Sequence, residues 1–291
     1  MAPELDPAAI IATLVILSII GGSAALWILR IKNHRKNIIP DAGASSWPIG
    51  WVNFGIFICA AIASIALFQF IGSALLQSAT EASNGELTPW IAVAAVLLLQ
   101  LPLLTVFYVT RRFFPGQFAS SLSSQSCSIF SALKQAASTF LRFLPVIWIV
   151  SFLWTQILSG LQSLGVIGEF PPQELVQLFQ SGGNPLAIGL LVIFAVLLAP
   201  IVEELIFRGC IYRFFKSQTT IIAAQFISGV VFALVHANLL SFVPLILVGF
   251  LLSRTYEKSG NILVPICFHA FFNGFSLLML LIISHSDLLQ S

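Results

Sequence analysis

The sequence predicts an all-α, polytopic membrane protein with about eight transmembrane helices. Hydrophobic residues make up 58% of its 291 positions and charged residues only 8%, with a mean hydropathy of +1.00; a soluble domain carries about a quarter charged residues. The apolar residues gather into runs of roughly 20, long enough to cross a bilayer as helices. No stretch alternates with the period of a barrel strand, which leaves helices as the spanning element.

The runs fall at 8–29, 50–76, 89–110, 138–160, 185–207, 219–236, 239–254 and 261–284, the seventh being the shortest. The first follows the acidic flank "MAPELDP" and precedes basic residues, the signature of a retained helix rather than a cleaved signal peptide. Segment 113–137 is Ser-rich with scattered apolar residues and is expected to lie along the cytoplasmic interface, helical from about Ser126. Loop 161–184 carries "GEFPPQE" and "SGGNP", turn chemistry that separates the fourth and fifth spans. The chain thus divides into residues 1–137, with three helices and the interfacial segment, and 138–291, with helices four to eight. The polar residues that could do chemistry concentrate at 185–284.

Charge placement fixes an orientation. All thirteen Lys and Arg residues lie in, or at helix ends bordering, segments 30–49, 111–137, 208–218 and 254–260. The opposite loops 77–88, 161–184 and 237–238 hold none. By the positive-inside rule the basic loops are cytoplasmic and both termini lie outside, as expected of a bacterial inner (plasma) membrane protein. The basic residues serve orientation, so the lipid bilayer is a partner and nucleic acid is not. Cys59, Cys127, Cys210 and Cys267 show no spacing that implies a disulfide framework.

Against this background "APIVEELIFRG" (199–209) places three ionisable groups in an apolar run. A carboxylate at mid-membrane costs about 2.5–3.5 kcal/mol on an insertion scale and marks function by default. Glu204 and Arg208 stand i, i+4 and can pair, which leaves Glu203 about 100° round the helix for another task. "FALVH" brings Phe232 and His236, and "HAFFN" stacks His269 and Asn273 on one helix face. Taken singly, each histidine is as well explained by interhelical hydrogen bonding; three such pockets in one bundle are more simply explained by a shared site.

One carboxylate, two imidazoles and an amide are the parts for amide hydrolysis by activated water. Glu203 is the candidate general base, His236 orients the water or shares its proton, and His269 and Asn273 donate to the developing oxyanion. A metal variant stays open: Glu203, His236 and His269 form a His₂Glu set able to hold a divalent ion such as zinc.

"EELIFR", "FALVH" and "HAFFN" together resemble the three motifs of the CPBP family of intramembrane proteases, also called Abi, which includes the CAAX prenyl endopeptidases. The resemblance implies an eight-helix, glutamate-type or metal-dependent endopeptidase acting on peptide or membrane-protein substrates. It implies Glu203, His236, His269 and Asn273 as the catalytic set, with Glu204, Arg208 and Phe232 in support. A cavity opening toward the cytoplasmic leaflet is expected. Two other readings are a non-proteolytic bacteriocin-immunity or scaffold protein of the same fold, and a haem-binding or proton-coupled protein using His236 and His269. No HExxH zinc motif is present. Asp6, Asp41 and Asp287 all fall outside the spans, which removes an aspartyl dyad, and "FISG" around Ser228 reads as packing.

One distance resists the shared site. Glu203 lies 13 residues before Lys216, whereas His236 follows Lys216 by 20. On this count a strongly tilted sixth helix, or one beginning deeper than Thr219, is needed to bring His236 level.

Overall fold

Eight helices follow one another in the computed structural model, which describes residues 7–34, 43–82, 88–113, 115, 122–168 and 183–290. They are α1 (Pro7–His34), α2 (Trp51–Ala82), α3 (Pro89–Phe113), α4 (Ile129–Ser163), α5 (Pro185–Gln218), α6 (Ile221–Val235), α7 (Phe242–Ser259) and α8 (Leu263–Gln290). Seven of the helical segments are long and apolar enough to cross a membrane, and α6 is a shorter apolar helix. A bridge between Ser123 and Asn261 is the only β pairing among the described residues. The acidic N-terminal flank, part of the expected interfacial segment, part of loop 77–88 and most of loop 161–184 lie outside the described residues.

Two helices depart most from the ends that hydropathy predicts. Helix α4 starts at Ile129, where Ser128 caps it by accepting from the Ser131 N–H. The expected interfacial helix and the fourth span are therefore one rod of 35 residues. Helix α5 runs past its expected end at 207 because Arg208 and Arg213 do not meet water there. Both are fully buried, Arg208 on Glu204 and the Gly249 carbonyl, Arg213 on the carbonyls of Ser45, Gly209 and Ser46. A buried charge that is paired and hydrogen-bonded can continue a helix.

The surface is the inverse of a soluble protein's: Val52, Phe70, Leu75 and Phe152 stand out along α2 and α4 with most of their area exposed. The bundle's interior holds the polar groups. In apolar surroundings helices are held by close packing of small residues, and α6 meets α7 at Gly229 and Gly249. A Cβ on Gly249 would come within 2.7 Å of Gly229 Cα. Ser228, buried beside them, donates to the Phe207 carbonyl, the packing role its sequence context suggests.

The basic ends of the helices are closed. Residues 43–50 lie across them without regular secondary structure, the Gly43 N–H bonding to the Glu257 carbonyl and the Trp47 N–H to the Arg213 carbonyl. Lys216 Nζ donates to the Ala44 carbonyl at 2.5 Å and pairs with Glu257 at 2.7 Å, and Tyr212 Oη donates to Glu257 at 2.7 Å. The other end is hollow. With 15 residues, α6 spans about 22 Å, less than a ~30 Å hydrocarbon core. The turn after it, 236–241, therefore sits below the non-basic ends of its neighbours. Trp154 Nε1 reaches the Leu239 carbonyl at 2.8 Å, while α4 continues to Ser163.

Candidate active site

Two irregular turns in α5 set the site. Residues Phe194–Leu198 and Phe207–Tyr212 are π-helical, and such bulges are frequent at functional positions. The first has a cause in the sequence. The Ala199 N–H bonds to the Phe194 carbonyl, so Ala195 would next look to residue 200, which is proline and has no N–H. Asn273 Nδ2 on α8 donates to the Ala195 carbonyl instead, at 2.8 Å. The amide expected at the oxyanion thus already ties α8 to α5, with its second N–H still to place, and it lines the same cavity as His236 and His269.

Glu203, His236 and His269 converge. Glu203 Oε2 is 3.8 Å from His269 Nε2 and 3.9 Å from His236 Nε2. No tilt or deep start of α6 is needed to bring them level, contrary to the count from Lys216. Glu203 precedes Gln218, the last residue of α5, by 15 positions, and His236 follows Ile221, the first of α6, by 15. The arms of the α5–α6 hairpin are equal; Lys216 is a misleading origin because it lies within one arm.

Each imidazole is held by its other nitrogen. His236 Nδ1 lies 2.7 Å from the Phe232 carbonyl, which can only accept, so Nδ1 carries a proton and Nε2 faces Glu203. His269 Nδ1 lies 2.9 Å from Glu204 Oε1. That oxygen also takes the Arg208 guanidinium at 2.8 Å, a fully buried pair. Phe232 is the common support: its ring centroid is 4.6 Å from that of His236 and 5.5 Å from that of His269, and Arg208 Cζ lies 4.8 Å from it. His236 follows α6 as its C-cap, and the next residue, Ala237, takes the left-handed conformation with φ of 47°.

A further residue comes from outside the motifs. Gln100 on α3 is buried, and its Nε2 donates to Glu203 Oε1 at 3.5 Å, which turns Oε2 toward the imidazoles. The sequence shows Gln100 as one more small polar group in an apolar span. Nothing local says that it faces the fifth helix.

Glu203 Oε2 and Gln100 Oε1 are buried without a hydrogen-bond partner among the described residues. Three acceptor-rich groups around one point call for a donor or a cation. Tetrahedral zinc holds its N and O donors about 3.3 Å apart, from bond lengths near 2.0–2.1 Å. The 3.8–3.9 Å separations are wider, and among the described residues no three His, Cys, Asp or Glu side chains are disposed to hold a metal. As placed, the set does not close on zinc.

Two cavities meet at His236. One, of about 600 Å³, is lined by His236, Asn238, Ser241, His269 and Asn273. The other, of about 670 Å³ and mostly apolar, runs between α2, α3, α5 and α6 to Gln100 and Glu203. The first includes the 236–241 turn, so it lies toward the helix ends opposite the basic residues. This reverses the expected opening toward the basic, cytoplasmic side. The reason is the closure of the basic ends by residues 43–50 and the shortness of α6.

Residues 185–275 match the family model described as type II CAAX prenyl endopeptidase Rce1-like. The chain is 35% identical over 93 residues to "Putative membrane peptidase YdiL" of Bacillus subtilis (strain 168), covering 32% of this chain and 38% of that one. It is 32% identical over 136 residues to "Uncharacterized 24.3 kDa protein" of Escherichia coli, covering 44% of this chain and 61% of that one. The chain therefore spans less than two thirds of either relative's length. No solved structure matches it.

Proposed function

We propose that this chain, whose residues 185–275 match the CAAX prenyl endopeptidase Rce1-like family model, is an intramembrane endopeptidase in which Glu203 activates water. The observation that carries this reading is the approach of His236 Nε2 and His269 Nε2 to within 4 Å of one carboxylate oxygen, Glu203 Oε2. A water there donates one hydrogen to Glu203 Oε2 and the other to His236 Nε2, which aims its lone pair at a scissile carbonyl. Glu203 takes the first proton as the C–O bond forms. The second N–H of Asn273 donates to the oxyanion, and His269, anchored on Glu204, stands beside it. Glu203 then returns the proton to the leaving amine as the C–N bond breaks.

The catalytic unit is residues 185–284, with α3 supplying Gln100 and α4 bracing the recessed turn. Peptide or membrane-protein substrates enter from the side of the 236–241 turn. Haem ligation is disfavoured because both imidazoles address the same carboxylate oxygen, which leaves no slot for a macrocycle between them.

The test compares membrane and secreted peptides from cells carrying the wild-type chain with those carrying Glu203→Gln, with insertion checked by immunoblot. Loss of a defined set of cleavage products in the variant is expected. An unchanged set with the variant correctly inserted overturns the protease reading in favour of an immunity or scaffold role. Metal analysis of the purified chain, with turnover measured before and after chelation, decides whether a divalent ion joins the three side chains.

A further inference from the structure

A helical substrate cannot be cut as it stands, since each carbonyl inside a helix is already bonded to the N–H four residues on. The peptide at Glu203 is therefore extended, and an extended chain leaves an N–H and a carbonyl at every residue to be satisfied. At membrane depth, where lipid offers neither donor nor acceptor, those groups need partners in the protein. Many proteins that hold extended peptides add them to a sheet edge. The pairing of Ser123 with Asn261 is the only β bridge among the described residues, and it lies at the basic ends, away from Glu203. Side chains must then serve the substrate's backbone.

Of the two cavities that meet at His236, one is equipped for this. The apolar cavity offers Gln100 and Glu203 besides His236, and those two are already engaged with each other. The other adds Ser151, Asn238, Ser241 and Ser276 to the residues of the site. Asn238 Oδ1 accepts from the Ser241 N–H at 3.2 Å, which leaves its amide N–H groups to donate. Several hydroxyls in these helices turn back on their own backbone, as Thr105 does on the Leu101 carbonyl at 2.9 Å and Ser253 on the Gly249 carbonyl at 3.1 Å. The hydroxyls of Ser151 and Ser276 have no partner among the described residues. Ser276 continues the α8 face of His269 and Asn273 at i+7 and i+3. At 1.5 Å per residue it stands about 10 Å beyond His269 toward the non-basic end, room for about three extended residues at ~3.3 Å each. Ser151 joins the same cavity wall from α4, three residues after Trp148.

We propose that this cavity binds an extended peptide backbone, with Ser151 and Ser276 as substrate-positioning residues that hydrogen-bond main-chain groups beside the scissile bond. The inference rests on the protease reading and deepens it. The substrate class is an unfolded polypeptide segment held by its main chain, with its side-chain identities secondary. A hydroxyl suits that task because it donates to a carbonyl or accepts from an N–H as the strand requires.

The probe is a tryptic digest of bacterial membrane proteins, incubated with the purified full-length chain in detergent. Mass spectrometry identifies peptides cut by the wild type and not by Glu203→Gln. One such peptide is remade with each amide near the scissile bond replaced in turn by an ester, which removes an N–H and weakens a carbonyl as acceptor. Ser151→Ala and Ser276→Ala are each expected to raise KM about three- to tenfold, with kcat and the unfolding temperature little changed. Ser276→Thr should restore the wild-type KM. An ester that weakens binding to the wild type should cost the matching alanine variant little, a coupling that a purely structural hydroxyl does not produce. Thr105→Ala, on neither cavity wall, should leave KM unaltered. Glu203-dependent products with an unchanged KM in both alanine variants, or ester and alanine penalties that simply add, overturn this inference and leave the protease reading standing. A digest with no Glu203-dependent product overturns both.

Discussion

Glu204 Oε1 accepts from Arg208 at 2.8 Å and faces His269 Nδ1 at 2.9 Å, so one buried oxygen fixes both the helix's internal ion pair and the imidazole opposite Glu203. The two adjacent glutamates therefore divide the work, one holding the frame and the other facing the cavities.

That division predicts opposite phenotypes for two adjacent, isosteric changes. Glu204→Gln leaves Arg208 buried without its counter-charge and is expected to cost about 3 kcal/mol or more of stability. Glu203→Gln should leave the unfolding temperature nearly unchanged and abolish cleavage. Thermal unfolding in detergent, paired with product analysis, reads both.

Gln100 should act on rate rather than on binding. A hydrogen bond to a charged group is worth about 1.5–3 kcal/mol, so Gln100→Leu is expected to lower kcat by at least about tenfold with little change in KM. Steady-state kinetics on a substrate found in the peptide comparison checks this. An unaltered kcat would show that the 3.5 Å contact does not orient Glu203.

Asn273 and Pro200 should couple across the helix interface. Asn273→Ala leaves the Ala195 carbonyl without its donor, a loss of about 0.5–1.5 kcal/mol. In a Pro200→Ala background residue 200 regains an N–H that can serve that carbonyl, and the same loss should shrink. A double-mutant cycle on unfolding free energy measures the coupling; strict additivity would contradict the account of the bulge.

Ala237 has a left-handed backbone immediately after His236, a conformation that costs a residue with a Cβ about 1–2 kcal/mol. Gly at this position relieves that strain but adds freedom to the unfolded chain. Ala237→Gly should therefore raise stability by a few tenths to about 1 kcal/mol, seen as a higher unfolding temperature. A lower one would mean that the strain is not borne at this residue.

The sequence by itself determined that the chain is helical and membrane-spanning, where eight helices lie to within a few residues at most ends, and that Glu203, His236, His269 and Asn273 are the residues to watch. Hydrophobic length and intramembrane charge are local properties, and both are written in the order of the residues. It misjudged the end of α5, because hydropathy counts Arg208 and Arg213 as charges and cannot see the carbonyls and the carboxylate that bond them. Tertiary structure alone decided that Gln100 reaches Glu203, that Asn273 serves Ala195, and that Ser151 and Ser276 line one cavity. Each of these joins helices far apart in the chain, and apolar spans reveal their length but not the rotation at which they pack. The level of His236 and the hollow on the non-basic side come from the same source: a hairpin with equal arms and a sixth helix too short to cross the membrane.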